Sequence, residues 1–325
     1  MNEIMELMKK WTAVDTTMSL NQIKDTETFI YSRYFTAKMK GHKSNKIEIP
    51  IKRGTGCILE SVSPEGEHLV NDRGDQYLLD LKLPRFPLVN PITASVINDI
   101  KSYDTPDQKE EVGRLIGEIQ AEHKRSFLTT LEYMAAGALF GKVMDGKGKI
   151  LFEFKGISEA IELKGKDTVS FLRSIDKQLV EELGKNTSYE FLVGNVFLDK
   201  LWDLCVAEKL DEKKTALWIT KENKRCLEVH GVIFFPYIAT YKNTDDEEKK
   251  FIEDNEAVCI PLGVDAFTTH YGRADHVKAV TQAPKQFFSA LDEQERGKGY
   301  EVLSEMKSIP ICERPTAIIK AKYTE

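Results

Sequence analysis

Apolar residues recur every three or four positions along one long stretch of the chain, from Thr105 to Gly141. They fall on one face of a helix, formed by Val112, Leu115, Ile116, Ile119, Phe127, Leu131, Met134 and Ala138. Thr105 is suited to cap this helix, and Gly141 is placed to end it. At about 1.5 Å per residue the helix is roughly 50 Å long, so we expect a strut across which other elements lie. The polar centre from Gln120 to Ser126 predicts that the middle of the strut is partly in water.

A period of two replaces the helical period in two stretches before the strut. Ile47, Ile49 and Ile51 alternate with other residues, and strand character returns from Gln76 to Leu83. Pro50 restricts its strand to a sheet edge or to an exposed ribbon. We therefore predict a long two-stranded ribbon over residues 46–87 with little core of its own. Because such a ribbon is marginally stable in water when isolated, it must lie on something else.

Strand and helix patterns alternate in the chain after the strut. One amphipathic helix begins at Asp167 or Thr168 and is stopped by Gly184, and another runs from Val196 to Leu210. An almost uninterrupted apolar stretch from Glu228 to Tyr241 predicts one strand region in a covered sheet. Strands and helices follow each other without a regular βαβ rhythm, which predicts the α+β class.

Composition and charge limit the classes of protein that fit. A chain of 325 residues is long enough for one large core or for two domains. The formal net charge of −6 argues against a nucleic-acid-binding surface, which would need a basic stripe. No apolar run approaches the about 20 residues of a membrane span, and no signal peptide is visible. We expect a soluble protein made in a cytoplasm, with no membrane partner.

The first 44 residues carry few residues suited to packing. They favour an arm that becomes ordered only against a partner. The five cysteines are widely spread, without the spacing of a metal site or a redox pair: Cys57, Cys205, Cys226, Cys259 and Cys312. We expect them to be buried, reduced thiols.

Motifs that suggest chemistry are weak in this sequence. The segment from Gly141 to Lys147 has the spacing of a phosphate-binding loop, but Gly148 stands where a Ser or Thr must bind magnesium. It also leaves a helix for a strand, whereas a phosphate loop runs from strand to helix. Arg73-Gly74-Asp75 matches an adhesion tripeptide but fits a turn better. His270 and His276 have no further zinc ligands at suitable spacing. We predict no enzyme, no catalytic residue, no cofactor and no metal site.

Four blocks, in sequence order, carry a resemblance to a known family. They run from Thr130 to Gly146, from Val229 to Phe234, from Phe251 to Gly263, and from Ser308 to Pro315, where Ile309 replaces an expected polar residue. Together they resemble the phage major capsid protein E family, the lambda-like shell proteins of tailed bacteriophages. The resemblance covers nearly the whole chain from about residue 46.

The resemblance implies a Hong Kong 97-like phage capsid fold with five parts. These are an N-terminal arm (1–45), an extended loop or E-loop (46–87), a peripheral domain (88–157) with the spine helix at 106–140, an axial domain (158–265), and a return to the peripheral domain (266–325). The ribbon would then be the extended loop, lying over a neighbouring subunit. Its packing partner would be another chain, which explains why it has little core.

The function implied by the resemblance is assembly. Copies of the chain would form pentamers and hexamers that close into an icosahedral head shell in the virion, after assembly in the host bacterial cytoplasm. The shell would enclose double-stranded DNA without sequence-specific binding and would expand from a compact precursor. Portal and scaffold proteins, and a decoration protein as a further candidate, would be its other partners. Some relatives cross-link a lysine of the extended loop to a neighbour's asparagine, and Lys52 lies unfavourably near the base of the ribbon. The lambda-like branch generally relies on a separate decoration protein instead, so we expect no cross-link.

Charged residues at exposed tips are the candidate subunit-interface residues: Arg53, Glu65, Glu67 and Arg73 on the ribbon, and Asp245, Glu247 and Lys249 on the charged loop of the axial domain. Three other interpretations remain open. They are a cellular cargo compartment with the same fold, a nucleotide-dependent enzyme that uses the segment from Gly141 to Lys147, and a monomeric binding module that uses Arg73-Gly74-Asp75.

Overall fold

A computed structural model of the chain describes residues 13–23, 28–52, 76–99, 108–154, 159–242, 247–294 and 298–324. The chain divides into two compact units. The first unit consists of Met1–Ile47, Asp80–Ala135 and Thr268–Ile311, and the second of Glu48–Leu79, Ala136–Phe267 and Cys312–Glu325. Each unit therefore combines stretches that are far apart in the sequence.

The α-helices of the described residues are α1 (Ala13–Gln22), α2 (Ala94–Asp99), α3 (Gln108–Phe140), α4 (Thr168–Leu183) and α5 (Asn195–Ala207). The strands are β1 (Met39–His42), β2 (Lys46–Lys52), β3 (Gln76–Lys82), β4 (Phe86–Thr93), β5 (Lys142–Met144), β6 (Ile150–Glu153), β7 (Ile161–Glu162), β8 (Tyr189–Val193), β9 (Ala216–Lys221), β10 (Lys224–Val229), β11 (Val232–Pro236), β12 (Thr240–Lys242), β13 (Glu248–Lys250), β14 (Glu256–Pro261), β15 (Phe267–Gly272), β16 (Phe287–Glu293), β17 (Gly299–Met306), β18 (Ser308–Cys312) and β19 (Ile319–Lys322). A short π-helix covers Tyr31–Phe35.

The strut is the helix α3 and ends where the sequence predicts. It is 33 residues long, and Gly141 follows it with a φ of 87°, in the left-handed region that a glycine adopts without strain. Thr105, its predicted cap, lies outside the described residues. The predicted partial exposure of its polar centre is confirmed by Glu122, Arg125 and Ser126, which are exposed, but the sequence did not show that Gln120, His123 and Lys124 are buried. Their side chains face polar groups of the same unit rather than water.

A three-stranded antiparallel sheet forms the core of the first unit with α3. Its strand order is β16-β17-β4. The apolar face of α3 packs on it through a cluster of Ile92, Val112, Ile116, Leu291, Tyr300 and Val302. Near the middle of the helix the rings of Phe127 and Phe287 stack at 5.9 Å. In the same unit β1 pairs in parallel with β15, which also pairs with β18.

The N-terminal stretch is packed on its own chain, and the prediction that it is poor in packing residues is wrong for 16–23 and 28–35. Leu20 is buried, and so are Ile30, Tyr31, Tyr34 and Phe35. The helix α1 lies along the free edge of β16 and covers it with side-chain hydrogen bonds. The Thr17 hydroxyl donates to the carbonyl of Ser289 at 2.9 Å and accepts from its N–H at 3.0 Å. Polar residues that the sequence assigned to an arm thus form hydrogen bonds along the edge of a sheet in the same chain.

The second unit contains a seven-stranded sheet in the order β7-β19-β14-β8-β11-β10-β9. Helices α4 and α5 contribute Phe171 and Phe197 to its main core, where Phe191 and Phe234 stack at 4.7 Å. The predicted limits of α4 are confirmed. Asp167 caps it by accepting from the N–H of Ser170, and Gly184 follows it with a φ of 67°.

The apolar stretch from Glu228 to Tyr241 is divided, contrary to the prediction of one strand region. His230 and Gly231 have φ values of 50° and 81° and form a tight turn. The turn reverses the chain between β10 and β11, which therefore pair as antiparallel neighbours. The stretch is continuous in hydrophobicity because both of its strands lie in the middle of the covered sheet.

The ribbon is present as the pair β2 and β3, which form a separate two-stranded sheet. Its base is not bare, because Ile47, Ile49 and Leu81 are buried. Within the described ranges neither strand pairs with any further strand. Residues 53–75, which connect the two strands, lie outside the described residues. No helix in the described part of the chain is both long and apolar enough to span a membrane.

Candidate subunit interface

The structure describes only part of the predicted interface. Five of its candidate residues lie outside the described residues: Arg53, Glu65, Glu67, Arg73 and Asp245. Glu247 and Lys249 are described, and both are exposed. Lys249 forms an ion pair with Glu247, with its Nζ atom 3.2 Å from Oε2 of the carboxylate. The structure thus brings together two of the seven predicted residues.

Glu247 and Lys249 belong to a small hairpin formed by β12 and β13 in the second unit. Across the hairpin, the Thr240 hydroxyl donates to Oε1 of Glu248 at 2.6 Å. All three residues of β13 are exposed. The charged stretch predicted as a loop from Thr244 to Glu256 therefore contains a strand. The hairpin presents its charged side chains to solvent on an ordered backbone.

Aromatic side chains fix the base of this hairpin. The ring of Phe251 lies 4.9 Å from that of Tyr241 and 5.9 Å from that of Tyr237. Ile252, the next residue, is buried. Such ring pairs add about 0.5–1.5 kcal/mol each beyond their buried area, so they hold the base of the hairpin firmly.

A cluster of charged side chains in the first unit holds both ends of the ribbon. Arg85, which follows β3, donates to Oε2 of Glu305 at 2.8 Å. The Lys307 ammonium, which is almost fully buried, donates to Asp275 at 2.6 Å and to the side chain of Asn45, just before β2, at 2.8 Å. The hydrogen bond from Lys307 lowers the pKa of the Asp275 carboxyl. We call these five residues the ribbon-root cluster.

Sequence reasoning missed the ribbon-root cluster because its members come from four distant stretches. Nothing in the spacing of Asn45, Arg85 and Asp275 marks them as neighbours. The two remaining members lie on either side of Met306, at the end of an apolar strand, where a Glu and a Lys two positions apart are a weak sign of a buried pair. A buried lysine is rare unless it is paired, so these hydrogen bonds fix the direction in which the ribbon leaves the unit.

The strut carries a second row of buried polar side chains, which hold the N-terminal stretch. Glu132 accepts hydrogen bonds from three consecutive backbone N–H groups, those of Phe29 at 3.1 Å, Ile30 at 2.8 Å and Tyr31 at 2.7 Å. These donors precede or begin the π-helix, where the N–H groups have no partner within the helix. A carboxylate there is also favoured by the helix dipole.

The polar centre of the strut makes equally specific contacts. Gln120 donates to the carbonyl of Thr16 at 3.1 Å and to the hydroxyl of Ser289 at 3.0 Å. The ring of His123 lies between the Ser304 hydroxyl, 2.9 Å from Nδ1, and the side-chain oxygen of Asn90, 3.0 Å from Nε2. Burial lowers the pKa of His123. This row binds α3 to α1 and to all three strands of the sheet it covers.

The described residues give little support for a reactive cysteine, a metal site or a phosphate-binding loop. Cys205, Cys226, Cys259 and Cys312 are buried free thiols, as the sequence predicts. Burial raises the pKa of Cys205 and of Cys312 to about 12, so neither forms a thiolate at neutral pH. In the described part of the chain no three His, Cys, Asp or Glu side chains come together as metal ligands. The segment after α3 enters the strand β5, so it lacks the context of a phosphate loop.

One cleft of about 440 Å³ lies in the second unit between α4 and the turn before β11. Its polar lining includes Arg173, Asp176, Tyr189 and His230. Burial, together with a hydrogen bond to Asp176, raises the pKa of the Tyr189 phenol. A phenol that stays protonated cannot act as a base, so Tyr189 does not activate a nucleophile in this cleft.

Comparison with known proteins shows the family to which this chain belongs. The family model for the phage major capsid protein E matches residues 12–323 of the chain. This chain belongs to the phage major capsid protein E family. It is therefore a phage capsid protein and a component of the virion shell, and its family is one of structural proteins. No curated protein gives a significant match to the sequence.

Solved structures agree with the fold of this capsid protein. A proposed prophage capsid protein from E. coli CFT073 is similar with a TM-score of 0.65 at 13% identity, over 97% of this chain and 99% of that chain. The capsid of Cyanophage P-SCSP1u is similar with a TM-score of 0.50 at 11% identity, over 94% and 90%. The SrpI encapsulin from Synechococcus elongatus PCC 7942 has a TM-score of 0.50 at 10% identity, over 91% and 87%. The capsid protein has the Hong Kong 97-like fold, as the resemblance implied.

Proposed function

We propose that this capsid protein assembles into pentamers and hexamers that close into an icosahedral head shell around double-stranded phage DNA. In this proposal residues 1–45 are the N-terminal arm, 46–87 the extended loop, 88–157 and 266–325 the peripheral domain, and 158–265 the axial domain. The observation that carries the proposal is the family match over residues 12–323, which extends over all of these parts except residues 1–11 and 324–325.

The ribbon supports a role for neighbouring copies. Its strands β2 and β3 pair only with each other among the described residues. The subunit itself buries Ile47, Ile49 and Leu81 at the base of the ribbon. Because a two-stranded sheet is marginally stable alone, we assign the cover of the rest of the ribbon to a neighbouring copy. The ribbon-root cluster sets its direction through Arg85 and Asn45, which suits a segment that reaches for a partner.

The charge of the chain suits a container for DNA. With a formal net charge of −6, the protein has no excess of positive charge to bind phosphates tightly. Phosphate binding by many Lys and Arg residues would give strong, salt-dependent attachment. DNA is thus enclosed without sequence-specific contacts. Portal and scaffold proteins, and a decoration protein where one is present, complete the head, which assembles in the host cytoplasm.

Electron microscopy of the purified protein, with sedimentation velocity over a range of concentrations, tests the proposal. We expect rings of five or six copies and closed particles. A protein that remains monomeric at every concentration, including in the presence of its scaffold, would contradict the proposal. It would favour the monomeric binding module instead.

A cellular cargo compartment is the second candidate function, and the similarity to the SrpI encapsulin favours it. Both functions predict closed shells, so the contents of the particle must distinguish them. A phage head contains double-stranded DNA, and its gene lies beside genes for a portal and a packaging motor. Particles from the natural source that contain a folded protein cargo and no DNA would favour the compartment.

A further inference from the structure

Apolar side chains are exposed on the loop between β15 and β16, residues 273–286. Val277 and Val280 are 86% and 61% exposed, the highest values among the large apolar side chains of the described residues. Val277 begins a short 3₁₀-helix that ends at Ala279, and Val280 follows it. Because side chains three positions apart lie one above the other in a 3₁₀-helix, the two valines form one surface. We call them the valine patch.

Charged residues beside the valine patch pair with groups of their own unit. The His276 ring lies 2.9 Å from Asp292, measured from Nε2 to Oδ2. The Lys278 ammonium donates to the other oxygen of Asp292 at 2.6 Å and to the carbonyl of Leu291 at 3.2 Å. The cation next to the valine patch is therefore neutralised by an acid of the same chain.

Further contacts hold the loop on its own unit. Arg273 donates to the carbonyl of Val280 at 2.8 Å. Ala274 and Ala279 are buried in a small cluster with Phe288. The loop thus buries its small apolar residues, uses these polar side chains within the unit and exposes its two valines. A loop that met only water would gain nothing from this arrangement, so the valine patch indicates a contact.

The cavity beside this loop is too small for a ligand. It has a volume of about 10 Å³, enough for at most one water molecule, and its lining includes Ala279, Lys285 and Phe288. The valine patch is therefore suited to a protein surface rather than to a small molecule.

The size of the valine patch limits what can cover it. Two valine side chains present on the order of 200 Å² of apolar surface, whereas a stable interface between two proteins buries about 1,200–2,000 Å². The patch alone therefore cannot hold a separate partner. It can stabilise a contact between molecules that other surfaces already bring together, as in a shell whose subunits each bind several neighbours.

The charge balance of the valine patch fits a contact between identical surfaces. Around a symmetry axis the same residue of each copy meets its counterparts, so an unbalanced charge there is repelled by its own kind. The two valines are uncharged, and Lys278 beside them is neutralised by Asp292. Arg273 is held against a carbonyl of its own loop.

We propose that the valine patch of one copy packs on the valine patches of neighbouring copies at a symmetry axis of the shell. The inference rests on the proposed assembly of copies into a shell and names a contact that helps to close it. It adds an apolar contact to an interface for which the candidate residues from the sequence are all charged.

Charges of either sign at residue 277 test this contact. Val277→Asp and Val277→Lys each place like charges opposite one another, so both should require at least about tenfold more subunit to form shells. A contact with an acidic or a basic surface of another kind would tolerate one of the two. Val206→Asp and Val206→Lys are the matched controls, because Val206 is 45% exposed in the second unit, and they should assemble like the wild type. Circular dichroism should show all four variants folded.

Mixing the two charged variants decides whether residue 277 meets its own counterpart. Equal amounts of Val277→Asp and Val277→Lys place opposite charges at the contact, so the mixture should form shells at an at least about fivefold lower concentration than either variant alone. Light scattering and electron micrographs measure the particles. Val280→Asp and Val280→Lys, mixed in the same way, serve if a variant at residue 277 does not fold.

Shell formation by both charged variants at the wild-type concentration would overturn the inference. So would a mixture that assembles no better than its components, which is the result expected if a different surface or a decoration protein covers the valine patch. If the wild type itself forms no shells, the proposed function fails, and the inference fails with it.

Discussion

Single residues on α3 show what the sequence prediction left out. The polar centre of this helix is partly exposed, as predicted, but the burial of Gln120, His123 and Lys124 was not foreseen, because polar residues are mostly exposed. In the structure each finds a partner of matching chemistry, and Glu132 does so as well. Buried polar groups are nearly always hydrogen-bonded, but apart from Asn90, which is 33 positions from His123, their partners here lie about a hundred or more positions away in the sequence. No local pattern contains that information.

Glu132 gives a prediction at this scale. Glu132→Ala leaves the N–H groups of Phe29, Ile30 and Tyr31 without their acceptor, so the free energy of unfolding should fall by about 3 kcal/mol. Urea unfolding of dissociated subunits measures this change. Glu122→Ala, an exposed site on the same helix, should change it by no more than about 0.5 kcal/mol. Equal effects of the two substitutions would contradict the role of Glu132 described here.

His123 makes stability depend on pH. Burial lowers its pKa in the folded protein below the about 6.5 of an unfolded chain, so protonation favours the unfolded state. Stability is therefore full above that pH and falls as the pH drops through it. Between about pH 7 and about pH 5 the wild type should lose more unfolding free energy than His123→Gln. Parallel pH profiles of the two proteins would show that the histidine is not responsible.

Secondary-structure elements could be predicted where a local signal marks their ends. Gly141 and Gly184 end their helices as glycines in the left-handed region, and Asp167 caps α4 with its own side chain. The turn at His230 was missed, because a histidine with positive φ has no sequence signature. The packing of α1 was missed for a different reason. Its partner, β16, lies at the other end of the chain.

The ribbon gives a prediction at the scale of elements. Deletion of residues 61–74 removes part of the ribbon tip and leaves the ribbon-root cluster intact. We expect a folded subunit with the wild-type circular dichroism spectrum that forms no shells, because in the proposed assembly the tip packs on a neighbouring copy. Electron micrographs are the measurement. Closed particles from the deletion variant would refute the assignment of the ribbon as the extended loop.

At the scale of the whole molecule, shell assembly requires contacts that are individually modest. Wrong contacts must be able to separate, and the finished shell is held because each subunit binds several neighbours at once. The family and the fold could be reached from four sequence blocks and the strut. The interface residues remain a prediction, because most of them lie on the ribbon outside the described residues, where the proposed assembly places their contacts on another copy.

The absence of a covalent cross-link is the prediction at this scale. Lys52 is the last residue of β2 and lies near the base of the ribbon, where reach toward a neighbour is shortest. Purified shells boiled in denaturant should therefore run as one subunit band on a gel, and Lys52→Arg shells should run identically. A ladder of subunit multiples in the wild type, absent from the Lys52→Arg shells, would contradict this.

The first unit is formed by three separate stretches of the chain, and this determines when it can fold during synthesis of the protein in an infected cell. Its sheet consists of β4, β16 and β17, and α1 covers the edge of β16. The unit is therefore not complete until Met306, the last residue of β17, has left the ribosome. A nascent chain therefore holds its early segments without their partners for most of translation, and folding that joins such distant segments is slow. Only finished polypeptides present an assembled surface. Half-made subunits are thereby kept out of the growing head.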